Sequence, residues 1–158
     1  MPVRGTITYV GSPEATLAEL RRAVKPALQD AVKEWHHKFL RRHFFESATT
    51  RYGYKARSAK YEQRKQRRKG HTRPLVWSGD MRRMLLRSIT LSGTSKRARG
   101  KLMGPKYLYQ YHKNRDEVHK ADEITAVTTD EVTGLAHLVD KNITARLNAI
   151  TKTEVKRF

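Results

Sequence analysis

The sequence predicts an α+β domain: a long kinked N-terminal helix and a C-terminal helix packed with a small antiparallel sheet, plus a basic helical arm or insertion. Three observations predict it. Apolar residues from Leu17 to Phe39, and again from Val132 to Ile150, recur at steps of three and four, the period of one helix face. Short β-branched and aromatic runs bounded by glycine lie between them. At 158 residues the chain has the length of one domain, 1–158, and it carries no internal repeat.

Thr6-Ile7-Thr8-Tyr9-Val10 alternates and reads as a short strand ending at Gly11. Ser12-Pro13-Glu14 predicts a helix start, with a capping hydroxyl, a first-turn proline and an acid at the positive end of the dipole. Leu17, Leu20, Val24, Leu28, Ala31, Trp35 and Phe39 then share one face. A helix from there to about Glu46 would be on the order of 50 Å long. Pro26 removes a hydrogen bond inside that pattern, which predicts a kink over 22–26 rather than a break, because the stripe keeps its phase.

Residues 51–73 change character, with ten Lys or Arg, one acid (Glu62), and Tyr52, Tyr54 and Tyr61 set among them. Lys55 to Lys69 favours helix, but its apolar face is limited to Ala56, Ala59 and Tyr61, so it is expected to lie on a partner or project as an arm. Gly70 ends it. Pro74-Leu75-Val76-Trp77 forms an apolar patch, and Ser78-Gly79-Asp80 a turn and cap opening a short helix through Met81, Met84 and Leu85. Ser88–Ser92 and Lys101–Tyr111 are predicted strands joined by a linker from Gly93 to Gly100. Leu102, Tyr107, Tyr109 and Tyr111 line the second strand, and Gly104-Pro105 marks a bulge or edge. His112 to Asp122 is predicted to be a charged loop. Thr128-x-x-Glu131 is a capping box opening a helix with Val132, Leu135, Val139, Ile143, Leu147 and Ile150 on one face. Residues 151–158 are expected to fray.

Thirty-four Lys and Arg against fifteen Asp and Glu give +19, and residues 51–73 hold +9 of it, ten basic minus one acidic. Such an excess calls for an anionic partner: nucleic acid, a membrane surface or an acidic protein. Apolar residues make up 37% of the chain, below the roughly 45–50% of folded domains on a residue list that also counts glycine, so burial against neighbouring subunits is expected. With no cysteine there is no disulfide framework, zinc finger or thiol nucleophile. Neither a signal-peptide run nor a membrane-length apolar stretch is present, and a cytoplasmic, membrane-free protein is expected.

No catalytic, cofactor-binding or metal-binding residues emerge. Ser78 lacks a nucleophile-elbow spacing and reads as a cap, and the glycines form no phosphate loop. His36, His37 and His43 read as a basic, partly exposed helix face rather than a metal site. Tyr111-His112-Lys113-Asn114 with His119 lacks the ββα setting of a His-Asn-His nuclease. Candidate contacts to DNA or an acidic partner are Lys55, Arg57, Lys60, Arg64, Lys65, Arg67, Arg68 and Lys69, where cations can neutralise phosphates and tyrosines pack on sugars or bases. Candidate subunit-interface residues are Trp35, Phe39, Trp77, Met81, Tyr107 and Tyr109.

The segment order carries a resemblance. A long N-terminal amphipathic helix is followed by an apolar patch leading into Ser78-Gly79-Asp80-Met81-Arg82-Arg83, then Ser88-Ile89 entering a strand, then Tyr107-Leu108-Tyr109-Gln110-Tyr111-His112. Over roughly residues 15–150 this resembles the neck and tail-completion, or virion morphogenesis, proteins of tailed bacteriophages. Two departures stand out: Ser88 comes seven residues after Met81 instead of about three, and the basic 51–73 segment replaces a short loop. The resemblance implies a non-catalytic α+β subunit, with no small-molecule substrate, assembled in the host cytoplasm into a six- or twelve-fold homo-oligomeric ring at the virion head–tail junction. There it would join connector or head-completion proteins to the tail and let DNA pass through its lumen. The competing expectation is a free basic nucleic-acid-binding protein, ribosome-associated or DNA-binding.

Overall fold

The computed structural model describes residues 16–108 and 119–155, with side chains as far as Ala149. The predicted strand Thr6–Val10, the Ser12–Glu14 start, Tyr109 and the His112–Asn114 motif lie outside the described residues.

The first described helix, α1 (Leu17–Glu34), opens on a capping box: the Thr16 hydroxyl accepts from the Glu19 N–H, and the Glu19 carboxylate accepts from the Thr16 N–H at 2.6 Å. It passes through Pro26 as one α-helix. Beyond it the long N-terminal helix, kinked as expected, leaves α geometry in a π turn at Trp35–Phe39 and then a 3-10 turn at Leu40–Phe44. A π turn inserts an extra residue and rotates the helix beyond it, so the rod changes the surface it buries there. Before the turn, Ala23, Ala27 and Ala31 are buried, flanked by half-buried Leu20, Val24 and Leu28, while Leu17 is 64% exposed. After it, Leu40 and Phe44 enter a different cluster.

Four shorter helices come next in the chain: α2 (Ala48–Tyr52), α3 (Ala59–Lys69), α4 (Asp80–Arg87) and, after the sheet, α5 (Lys120–Thr125), whose first turn lies in the His112–Asp122 stretch that reads as a loop in the sequence. Gly70 closes α3 in the left-handed conformation, φ 69°, which a side chain would strain. The sheet is one hairpin, β1 (Ile89–Gly93) antiparallel to β2 (Ala98–Leu102), with Ile89 opposite Leu102 and Leu91 opposite Gly100. The second strand therefore begins inside the expected linker and shares only Lys101 and Leu102 with the expected Lys101–Tyr111 strand, and Lys106–Leu108 forms a 3-10 turn where strand was expected. Gly100 dictates that position. A Cβ there would sit 2.3 Å from Ile89 Cδ1 and 2.8 Å from Val32 Cγ1, so only glycine lets the hairpin press onto α1.

The last helix, α6 (Thr129–Val155), continues into the stretch expected to fray. It runs antiparallel to α1: Glu131 meets Arg42, whereas Arg146 pairs with Asp30 at 2.8 Å. Val139, Ile143 and Leu147, on one face as their spacing predicted, pack on the α1 alanines and form one of two cores. The other gathers Leu40, Phe44, Val76, Met81, Leu85, Leu108 and Ile124. His36, expected on an exposed face, is buried there. Its Nε2–H donates to the Leu85 carbonyl at 2.8 Å, satisfying an end group of α4.

Candidate functional site

The basic segment is anchored at its base by two buried carboxylates. Glu131 completes the Thr128 capping box of α6, and its wholly buried side chain also accepts from the Tyr52 hydroxyl at 2.7 Å, with Arg42 and Arg51 at 3.6 and 3.7 Å. Glu123 on α5 takes both guanidinium nitrogens of Arg57, at 2.6 and 3.0 Å. Between the two carboxylates lies His43, fully buried and stacked on Tyr52 with ring centroids 3.9 Å apart. A carbonyl can only accept, so the 3.0 Å contact with the Glu123 carbonyl places a proton on His43 Nδ1, which also meets the Tyr54 hydroxyl. Burial pushes His43 down to about 4, which keeps it neutral near pH 7. Burial, above all, also raises the Tyr52 and Tyr54 hydroxyls. The cluster is a structural clamp in which the Tyr52 and Tyr54 hydroxyls bond to Glu131 and His43.

Above the clamp α3 docks on the 73–77 turn instead of projecting freely. Tyr61 is half-buried with its ring 5.9 Å from that of Trp77, and Lys65 is buried, its ammonium donating to the Arg73 carbonyl. Burial and then the Arg57 charge lower the pKa of Lys65. Leu75 holds φ at 58°, a left-handed conformation unusual for a bulky residue. The Arg64 guanidinium lies 5.6 Å from the Trp77 ring and 5.8 Å from that of Tyr61, and the Lys69 ammonium lies 5.8 Å from Trp77. Beside them is a small cleft of about 100 Å³ lined by Tyr61, Trp77, Tyr107 and Lys120 among others.

Of the eight candidate anion contacts, Lys60, Arg64, Arg67, Arg68 and Lys69 are exposed on α3, and Lys55 precedes it in an exposed position. Arg57 and Lys65 are engaged within the chain, by the Glu123 ion pair and the Arg73 carbonyl. Among the candidate interface residues, Phe39 and Met81 are core and Trp35 packs half-buried against that core. Trp77, 36% exposed, and Tyr107, 46% exposed, flank the cleft. Sequence reasoning missed Glu123, His43 and Tyr52 as a unit, since no local spacing links residues about eighty positions apart; Glu131 was visible only as a cap. It also missed a larger, mostly apolar groove beside β2, of about 630 Å³, lined by Leu102, Met103, Leu108, Ala121 and Ile124 together with Arg99, Lys101 and Lys106. No helix among the described residues is long and apolar enough to cross a membrane. The chain matches no protein-family model, no curated protein and no solved structure.

Proposed function

We propose that the protein is a structural, non-catalytic subunit that completes its fold against copies of itself. More particularly, we infer a ring subunit of the head–tail junction of a tailed bacteriophage, of the neck or tail-completion type, which joins connector to tail and surrounds the DNA path.

One observation carries the first step. Among the described residues the sheet is a single two-stranded hairpin, and beside β2 lies a largely apolar groove with Met103 55% exposed at its rim. Two strands alone are marginal in water, and an exposed apolar groove invites another chain. A copy seated there would bury the groove and recover the burial that a lean core lacks. The second step rests on the resemblance, whose Ser78–Arg83 and Ser88-Ile89 segments form the α4 start and the entry to β1.

Light scattering on the full chain at about 0.5 M salt, where screening shortens the repulsion between cationic subunits to a few Å, is the test. The proposal expects a defined oligomer of several chains, dispersed by Met103→Asp without loss of far-ultraviolet dichroism. A wild-type chain that stays monomeric at every concentration overturns it and favours the free nucleic-acid-binding alternative.

A further inference from the structure

We infer that the outward side of α3 binds the phosphate backbone of duplex DNA without reading its bases. In choosing DNA as the polyphosphate the inference rests on the junction reading; its geometry is independent of it.

Lys60, Arg64, Arg67 and Arg68 stand at i, i+4, i+7 and i+8, so they share one side of the helix over about 12 Å. With Lys69 they make five exposed cations, none paired with a carboxylate among the described residues. Positions 60, 63, 64, 67 and 68 read Lys, Gln, Arg, Arg and Arg, without one apolar residue. A protein partner needs an apolar centre with large anchors to bury, whereas these helix positions are all polar and the exposed ring beside them, Trp77, stands at their margin with Arg64 and Lys69 against it. Protein–DNA surfaces are polar and strongly positive, and three of the five cations are arginines, whose planar fork suits phosphate oxygens.

The nearby rings sharpen the choice of duplex over single strand. Single-strand binders offer free aromatic faces for bases to stack on. Here Arg64 lies over both Tyr61 and Trp77, Lys65 lies 5.7 Å from the Tyr61 ring, and Lys69 lies over Trp77. A base stacking on Trp77 would compete with the chain's own cations for that ring. The rings instead hold Arg64 and Lys69 in place, so less freedom is lost when they meet phosphates.

The test is fluorescence anisotropy on a labelled DNA duplex of about 20 base pairs over a salt series, where each phosphate contact adds roughly 0.9 to the log–log slope. The triple variant K60Q/R67Q/R68Q should fold as the wild type, lose at least about tenfold in affinity and reduce the slope by about 3. The control R21Q/R22Q/K25Q removes the same charge from exposed positions on α1 and should lose far less. The unlabelled duplex should also compete better than its single strand or polyglutamate of equal charge. Equal loss in both variants, tighter single-strand binding, or equal competition by polyglutamate, which would point to an acidic protein, each overturns the inference. If DNA binding fails while the chain still oligomerises, this inference falls and the ring reading stands; binding by a permanent monomer reverses that.

Discussion

Replacing Glu131 by alanine should remove much of the protein's stability, because one carboxylate serves several groups at once. It accepts from the Tyr52 hydroxyl at 2.7 Å, closes the Thr128 capping box, and faces Arg42 and Arg51 at 3.6 and 3.7 Å from a site without solvent exposure. A hydrogen bond to a charged group contributes about 2 kcal/mol and the cap about 1 kcal/mol. Each arginine is about one-third exposed, so screening holds its ion pair to roughly 0.5 kcal/mol. The sum is about 4 kcal/mol, a large part of the 5–15 kcal/mol typical of a folded chain. In urea, with a slope of about 2 kcal/mol per molar, the midpoint should fall by about 2 M at unchanged slope. Glu131→Gln keeps an acceptor and the cap, and should cost about half as much. A loss below about 1 kcal/mol for the alanine variant would refute the clamp as the anchor of the basic segment.

Other substitutions probe the contacts around this clamp and the hairpin. The depressed pKa of His43, about 4 in the fold against about 6.5 unfolded, means that only the unfolded chain gains a proton as pH falls below 6.5. Its stability contribution is therefore intact above that pH and is lost toward pH 4 by up to about 3 kcal/mol; His43→Phe should flatten that part of a stability–pH curve. Gly100→Ala forces a methyl into Ile89 and Val32 and should cost about 1–3 kcal/mol in thermal unfolding, with part recovered by adding Ile89→Val. Arg57→Ala, which strips the buried Glu123 of its partner, should cost about 3 kcal/mol, while exposed Lys60→Ala should stay within about 0.5 kcal/mol.

How far the fold can be read from the sequence depends on the range of the interactions involved. The cap and stripe of α6 were legible because Thr128, Glu131, Val139, Ile143 and Leu147 act within one helix. The start of α1 carried the same signal at Thr16-x-x-Glu19, masked by the more conspicuous Ser12-Pro13-Glu14. The Ala23, Ala27 and Ala31 face was obscured because the larger leucines dominate the periodicity, yet small residues are what let α6 approach. β2 was misplaced for a comparable reason: Ala98-Arg-Gly-Lys-Leu102 has little strand propensity, and its position is set by the β1 ladder and the fit of Gly100 on Val32. The charge of the basic segment was plain in the composition. That Arg57 and Lys65 serve the interior depends on Glu123 and the Arg73 carbonyl, which only the folded chain brings to them.

The claim that copies of the chain meet at the groove beside β2 can be tested at one position. The sequence contains no cysteine, so Lys96→Cys gives a single spin-label site on an exposed residue of the hairpin turn, outside the groove, and any dipolar coupling between labels must arise between chains. Pulsed electron spin resonance on the assembled, labelled protein should show a short, well-defined inter-label distance that disappears when labelled chains are diluted with unlabelled ones. A signal with no modulation above that of isolated spins would contradict the account.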